Sequence, residues 1–238
     1  MMIKIDVIAS GSKGNFYTLY DGTTTLLLEA GIHPRAMGRA LAKCTHIAGA
    51  LITHEHKDHA RSAEYLTKWG VKIYASQGTF DMCQINRYNK NIVKAGELCE
   101  VGEWIVLPFE VEHDTAEPLG FYIRSQRTAE TVLFATDTSC IYNRFKRIDY
   151  LMLECNYLDD VLDDNERKGK INHSLAQRIR NTHFSLDNVK DFCIANAVGL
   201  ARCKEIYLIH LSDRNCNART VEREIERLIG IPTTAYPR

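Results

Sequence analysis

The alternation of apolar and polar residues along the chain predicts strands separated by helices. Residues 3–9 alternate apolar Ile3, Ile5 and Val7 with polar neighbours, which is the period of a strand. Other segments are short continuous apolar runs, which fit strands that are buried on both faces. The predicted strands cover residues 3–9, 16–20, 23–30, 47–52, 71–74, 104–111, 119–125, 131–135, 149–155, 205–211 and 233–236, with short strand segments in 91–101.

Helical spacing of apolar residues predicts the segments that connect these strands. A helix is expected after Ser185 as its N-cap, and the last helix is expected to end at Gly230. Pro108 interrupts a predicted strand and indicates a bulge or an edge position. The predicted helices cover residues 34–44, 60–69, 78–86, 174–181, 186–199 and 221–229, and the highly charged residues 158–170 fit a solvated helix or loop.

The order of these elements predicts the fold class. Strand-rich blocks alternate with helices in two halves, and no linker divides them, so 238 residues are expected to form a single domain, 1–238. Two such halves favour an α+β fold in which two sheets pack face to face with helices outside. Composition is ordinary for a globular protein, with 45% hydrophobic and 25% charged residues.

Charge and cysteine content limit the expected binding partners and cellular location of the protein. The formal net charge is zero, so any binding of nucleic acid has to come from a local patch of charge. Apolar runs fall short of the roughly 20 residues of a membrane span, and the chain opens without a secretory apolar stretch. Eight cysteines without a C-x-x-C pair fit reduced thiols and a cytoplasmic location. The oligomeric state is not indicated by any pattern.

The main chemical motif follows the predicted strand 47–52. It has the form H-x-H-x-D-H and comprises His54, His56, Asp58 and His59. In an extended segment His54 and His56 point to the same side, and Asp58 and His59 follow where the chain bends. Imidazole and carboxylate ligands suit zinc, with manganese or iron as alternatives. The other explanation, a solvated polar turn, does not account for this spacing.

Further candidates lie outside this motif. His113, Asp137 and His210 are located at the ends of predicted strands, where they can converge with other ligands. A glycine-rich turn at residues 10–15 offers backbone N–H groups that can bind a phosphate, and Ser12, Lys13 and Asn15 are its candidate substrate contacts. A tight connection between strands explains the same turn equally well.

These motifs together resemble the metallo-β-lactamase superfamily, over residues 5–228. The resemblance implies a four-layer αββα sandwich with two divalent metal ions, zinc favoured and manganese possible. It implies a first ion held by His54, His56 and His113, and a second held by Asp58, His59 and His210. Asp137 would bridge the two ions, and Glu29 stands where the superfamily has an early Asp.

Other segments resemble the nuclease branches of this superfamily, in particular the WalJ/YycJ-type exonucleases. They include the glycine-rich turn, residues 153–156, residues 183–185 and residues 209–212. By this resemblance Glu154 and His183 form a proton-handling pair, and Asp58 orients the nucleophile as well as binding metal. The alternative, purely structural roles are a salt bridge for Glu154 and a helix-cap contact for His183.

The expected activity is hydrolysis of a phosphodiester, most favourably in nucleic acid, by water activated at the two metal ions. A local cluster of basic residues supports a nucleic-acid partner: Arg178, Arg180, Arg202, Lys204, Arg214 and Arg219. Rival functions are a thioester or lactam hydrolase of the same fold and a non-catalytic binding protein stabilised by metal. A di-iron oxidoreductase is disfavoured, because that branch replaces His56 by Glu.

Overall fold

The computed structural model describes residues 2–83, 85 and 87–237, which form two compact units. Unit 1 comprises Met1–Glu110 and Thr115–Thr131, and unit 2 comprises Val111–Asp114 and Val132–Arg238. The short segment Val111–Asp114 therefore belongs to unit 2, although the chain on both sides of it belongs to unit 1.

Unit 1 is built around a six-stranded sheet in the order β1-β2-β3-β4-β5-β6. Strands β1 to β3 pair antiparallel and β3 to β6 pair parallel, with Leu28 opposite Leu51 and Leu51 opposite Tyr74. The strands are β1 (Lys4–Ala9), β2 (Phe16–Tyr20), β3 (Thr25–Leu28), β4 (Ile47–Leu51), β5 (Ile73–Ala75) and β6 (Lys90–Ile92).

Helices of unit 1 cover this sheet through an apolar core. Phe16 and Leu27 from the sheet are fully buried with Met37, Leu66 and Phe80 from the helices. Burying such side chains stabilises a fold by about 1.5–3 kcal/mol each. The helices are α1 (Pro34–Leu41), α2 (Lys57–Ala60), α3 (Ala63–Lys68) and α4 (Gln77–Met82), followed by a 3-10 turn (Arg87–Asn89).

The predicted helix at residues 60–69 differs from the observed structure. The chain becomes helical earlier, in α2, and is interrupted between α2 and α3. At the interruption Ser62 donates its backbone N–H to Ala30 O and its hydroxyl to Ile32 O. These contacts with the chain after β3 decide the helix boundaries, and apolar spacing alone does not predict them. The predicted helix 78–86 ends at Met82 in α4, and residue 86 lies outside the described residues.

Unit 1 also contains an antiparallel meander of β7 (Cys99–Val101), β8 (Trp104–Glu110) and β9 (Leu119–Ser125). Pro108 lies inside β8 and pairs with Phe121 of β9 without a register shift, so the predicted bulge is absent from this pair of strands. On the other side of β8, strand β7 pairs only with residues Trp104 to Val106 of β8. Pro108 therefore sits beyond the end of β7, where its missing N–H removes no ladder bond.

Unit 2 is built on parallel strands in the order β13-β12-β11-β10. Their side chains are almost all buried, as expected for parallel strands. The strands are β10 (Thr131–Ala135), β11 (Tyr150–Glu154), β12 (Glu205–Ile209) and β13 (Thr233–Ala235). The helices are α5 (Asp159–Arg167), α6 (His173–Thr182), α7 (Leu186–Ala195), α8 (Ala197–Leu200) and α9 (Ala218–Ile229).

Two helix boundaries of unit 2 follow the predicted signals. Ser185 caps α7 by accepting a hydrogen bond from Asn188 N, and Gly230 ends α9 in the left-handed conformation with φ of 69°. The charged residues at 158–170 contain the helix α5, in agreement with the solvated-helix alternative.

Two further expectations concern thiols and membranes. All eight cysteines are free thiols. Among the helices of the described residues, none has both the length and the apolar character needed to cross a membrane.

Candidate metal centre

Three strand ends carry residues in the left-handed backbone region. Glu29 follows β3 with φ of 65°, Asp137 follows β10 with φ of 47°, and His210 follows β12 with φ of 54°. For residues other than glycine this conformation costs on the order of 1–3 kcal/mol and concentrates at functional sites. Asp137 and His210 are predicted metal ligands, so the strain coincides with the predicted chemistry.

In unit 1, the predicted ligands lie between β4 and the end of helix α2. The rings of His54 and His56 meet edge to face with centroids 4.8 Å apart, and those of His54 and His59 are 4.1 Å apart. Asp58 places Oδ2 3.5 Å from Nε2 of His59. The turn therefore brings its three imidazoles and its carboxylate together, as the motif predicts.

Hydrogen bonds fix the ring of His54. The hydroxyl of Thr53 donates to Glu29 Oε1 at 2.6 Å and lies 2.9 Å from Nδ1 of His54. Since the single hydroxyl proton is directed at Glu29, Nδ1 of His54 is the donor to Thr53. Its Nε2 then carries the lone pair, which is the form of imidazole that binds metal.

Glu29 supports this turn from a fully buried position. Besides the Thr53 hydroxyl it faces Thr53 N, 3.4 Å from Oε2, and His59 Nδ1, 3.5 Å from Oε1. The longer side chain at the place of the superfamily's Asp thus contacts the residues around two predicted ligands. The sequence alone did not reveal this supporting role.

Asn15 has a different setting from that of an exposed substrate contact, because it is fully buried. Its Oδ1 accepts from Gly11 N at 2.8 Å and Tyr17 Oη at 3.0 Å. Its Nδ2 lies 3.2 Å from Asp58 O and 3.1 Å from His59 Nε2. Asn15 therefore anchors the Asp58–His59 turn, while Ser12 and Lys13 are exposed at the tip of the glycine-rich turn.

In unit 2, the carboxyl ends of three adjacent parallel strands carry polar residues. Asp137 follows β10, Glu154 ends β11, and His210 follows β12. His183 comes from the C-cap of α6, and His113 comes from the segment after β8. Parallel strands place their carboxyl ends at one edge of a sheet, which explains why residues so distant in sequence meet.

Distances within this cluster are short. Glu154 Oε1 lies 2.8 Å from His183 Nδ1 and 3.0 Å from His210 Nδ1. Asp137 Oδ1 is 2.8 Å from His210 Nδ1, and Asp137 Oδ2 is 3.8 Å from His113 Nε2. Asp137, Glu154, His183 and His210 each offer a ligand atom within 4.8 Å of the others.

The surroundings orient these side chains. Glu154 Oε2 accepts from the backbone N–H groups of Thr138 and Phe184, both at 3.1 Å. Nδ1 of His113 is 3.0 Å from the carbonyl oxygen of Thr182 and must donate to it, which leaves the lone pair on Nε2. Asn156 donates to the backbone oxygen of His210 at 3.0 Å.

Burial and neighbouring charges shift the pKa values of three groups. Burial alone would raise the pKa of Glu154, but His183 beside it holds that pKa below its usual value. Burial likewise opposes protonation of His183, yet Glu154 raises the pKa of that imidazole above its usual value. The pKa of His113 is lowered by burial, against the opposing charge of Asp137. Glu154 and His183 therefore favour a carboxylate–imidazolium pair.

The donor set fits a divalent transition metal. Buried carboxylates and imidazoles, with imidazole lone pairs fixed by hydrogen bonds on the opposite nitrogen, are the ligands that zinc and manganese take in proteins. In unit 2 such atoms come from Asp137 and His210, whereas a protonated His183 paired with Glu154 offers no lone pair to a metal. The residues present therefore fit the metal that the sequence motif predicts.

Comparisons with known proteins concern the family and the fold of the chain. A model of the beta-lactamase superfamily domain matches residues 24–211. The exodeoxyribonuclease WalJ of Streptococcus pneumoniae (serotype 2, strain D39 / NCTC 7466) is 30% identical over 230 residues, covering 89% of this chain and 82% of that protein. The exodeoxyribonuclease YycJ of Bacillus anthracis is 31% identical over 229 residues, covering 89% and 83%.

A solved structure confirms the fold class. The metallo-β-lactamase fold protein YhfI from Bacillus subtilis is similar with a TM-score of 0.75 at 15% identity, over 98% of this chain and 95% of that chain. The expected α+β metallo-β-lactamase fold is therefore confirmed. The expectation that residues 1–238 form one domain, and the assignment of individual site residues, stay predictions.

Proposed function

The chain belongs to the β-lactamase superfamily, and from this premise we propose that it is a metal-dependent phosphodiesterase acting on the ends of DNA. The superfamily supplies the metal-dependent hydrolase chemistry. The proposed substrate is supported by the two relatives, both named exodeoxyribonucleases.

The pairing of Glu154 with His183 is the observation that carries the proposal. Glu154 Oε1 accepts from His183 Nδ1 at 2.8 Å, and the pair favours a protonated imidazole. The side chain of His183 is 20% exposed, so its Nε2 proton can reach a substrate. Protonating the alkoxide that leaves a phosphodiester is typically worth about 100- to 10,000-fold in rate. Thiolate leaves readily without such an acid, which disfavours a thioesterase.

The proposed cofactor is a pair of divalent ions, zinc favoured and manganese possible. Following the superfamily pattern, His54, His56 and His113 would hold the first ion, Asp58, His59 and His210 would hold the second, and Asp137 would serve as a ligand of both. When bound, the ions supply an activated water and stabilise developing negative charge. Asp58 orients the nucleophile, and Ser12 and Lys13 contact a substrate phosphate.

The proposed location is the cytoplasm. Its support is the free state of all eight cysteines, which suits a reducing compartment.

The test uses purified protein loaded with Mn²⁺ or Zn²⁺ and end-labelled DNA. We expect release of mononucleotides, abolished by His56→Ala or Asp137→Ala. His183→Ala should lower the rate about 100- to 10,000-fold on DNA, but much less on a p-nitrophenyl phosphodiester, whose leaving group needs no proton. His173→Ala is the matched control, since His173 is exposed and pairs with Glu166.

If the metal-loaded protein cleaves thioesters or lactams but cleaves no phosphodiester, the proposed activity is wrong. An equal loss on DNA and on the p-nitrophenyl ester would leave phosphodiester hydrolysis standing but remove His183 as the proton donor.

A further inference from the structure

A cavity of about 250 Å³ opens in unit 2 between the loop after Asp137 and helix α7. Part of its wall is apolar, formed by buried Ile141, Phe184 and Phe192, and the rest is polar. Charged residues of opposite sign, Arg144 and Asp191, line it and are exposed.

The cavity shares its walls with the candidate centre of unit 2. Phe184 follows His183 directly, and its N–H donates to Glu154 Oε2 at 3.1 Å. Asn188 of α7 donates to the carbonyl oxygen of Ser139, two residues after Asp137, at 3.3 Å. The same short segments therefore position both the polar cluster and the cavity wall, so a group bound in the cavity would contact the residue that directly follows His183.

The volume of the cavity and the chemistry of its lining residues indicate which kind of ligand it can bind. Pockets for complete small molecules typically begin at about 300 Å³, so this cavity suits one ring system rather than several linked nucleotides. Aromatic and apolar walls favour a flat ring, which every nucleobase offers for stacking. Arg144 can donate to and Asp191 can accept from the edge of a base, whereas Asp191 would repel a phosphate.

We propose that this cavity binds the base of the terminal nucleotide, next to the phosphodiester that is cleaved. The inference rests on the proposed phosphodiesterase function and adds a specific contact to it. Stacking of a base on aromatic side chains is worth about 1–3 kcal/mol. The base should therefore raise kcat/KM about 5- to 150-fold.

The test compares two substrates with the same leaving group. Thymidine 5′-(p-nitrophenyl phosphate) carries a base and methyl p-nitrophenyl phosphate does not. For the metal-loaded protein we expect kcat/KM to be about 5- to 150-fold higher for the thymidine ester. Ala195→Phe fills the cavity from its mouth and should bring this ratio close to one. Ile194→Phe is the matched control on the same helix, at an exposed residue outside the cavity lining, and should keep the ratio of the unmodified protein.

A second pair of variants tests the same contact in case Ala195→Phe does not fold. Asp191→Ala should lower the substrate ratio, while Asp187→Ala, an exposed acid on the same helix that pairs with Lys190, should keep it. A ratio near one in the unmodified protein, or a ratio unchanged by both Ala195→Phe and Asp191→Ala, would overturn the base site while leaving phosphodiester hydrolysis intact.

Binding of thymidine alone separates this inference from the proposed function. Saturation-transfer NMR with thymidine should show binding to the unmodified protein and to Ile194→Phe, and loss of binding in Ala195→Phe. If neither ester is cleaved, the proposed function fails, and the thymidine result still decides the base site. Absence of thymidine binding in the unmodified protein would then overturn it.

Discussion

Glu29 illustrates how much a single buried carboxylate can organise. Its Oε1 accepts from the Thr53 hydroxyl at 2.6 Å and lies 3.5 Å from His59 Nδ1. The Thr53 hydroxyl in turn accepts from His54. One charged group therefore orients two imidazoles, and its negative charge makes both of them better electron donors to a metal.

We expect Glu29→Gln to weaken metal binding about 10- to 100-fold, the usual effect of losing a supporting partner of a ligand. The amide keeps the size of the side chain and can still accept from Thr53, but it removes the charge that faces His59. A competition titration with a chelating dye measures the change. Glu97→Gln, at an exposed position of unit 1, is the control.

An affinity within twofold of the unmodified protein would mean that Glu29 has only a structural role. In that case a decrease in the free energy of unfolding, measured in urea, should be its main effect.

At this level the candidate metal ligands could be recognised in the sequence more readily than the residues that support them. The spacing of His54, His56, Asp58 and His59 is distinctive, so it could be recognised locally. Asn15 and Glu29 have no such pattern, because their partners are distant in sequence: Asn15 meets His59 across 44 positions. A buried polar side chain after a strand was the available signal, and burial could not be known before the fold.

The contact of helix α2 with the turn after β3 depends on a residue without a side chain. Gly31 donates to Asn15 O at 2.9 Å, and Ala30 donates to His59 O at 2.7 Å. A Cβ atom at position 31 would lie 1.5 Å from the carbonyl oxygen of Asp58. The backbone that carries Asp58 and His59 can approach only because residue 31 is glycine.

Gly31→Ala should therefore destabilise the protein by more than the usual 1–3 kcal/mol of an overpacked core, because the clash is with backbone and cannot be relieved by a side-chain rotation. Urea unfolding followed by circular dichroism measures the loss. Gly38→Ala is the matched control: it lies in α1, its Cβ would meet only the Tyr65 hydroxyl at 3.4 Å, and alanine favours a helix by about 0.5–1 kcal/mol.

Equal stability of the two variants would show that the turn after β3 can move away from α2 at little cost.

The same contact explains why one helix prediction was wrong. Apolar spacing placed a single helix at residues 60–69, whereas the chain forms α2 and α3 with an interruption at Ser62. Backbone contacts with Ala30 and Ile32 determine that interruption. Elements whose ends carry their own signals, such as Ser185 at the start of α7 and Gly230 after α9, were predicted more closely.

At the level of the whole chain, alternating blocks of strands and helices were enough to predict the α+β class. They could not predict that Val111–Asp114 belongs to unit 2. Glu112 bonds to Thr138 and Ser139, and His113 bonds to Thr182 O. These long-range contacts bring His113 to Asp137, and they arise only when the parallel strands have assembled.

Metal binding and folding should be coupled through this assembly. Burial, and to a lesser degree repulsion by the Asp137 carboxylate, oppose the lowering of the Glu154 pKa by His183. A bound cation relieves the repulsion between the two carboxylates. Metal at 100 times its Kd stabilises the folded state by about 2.7 kcal/mol. In a chain of this size that corresponds to a rise in Tm of about 5–10 °C.

Chelation followed by reconstitution with Zn²⁺ tests this coupling by differential scanning fluorimetry. We expect the chelated protein to unfold about 5–10 °C lower. Asp137→Asn should lose most of that shift, because an amide offers the metal no charge. Asp187→Asn, an exposed acid of α7, should retain it. The same Zn²⁺-dependent shift in both variants would mean that the stabilising ion binds elsewhere, since only Asp137 belongs to the cluster of buried donors.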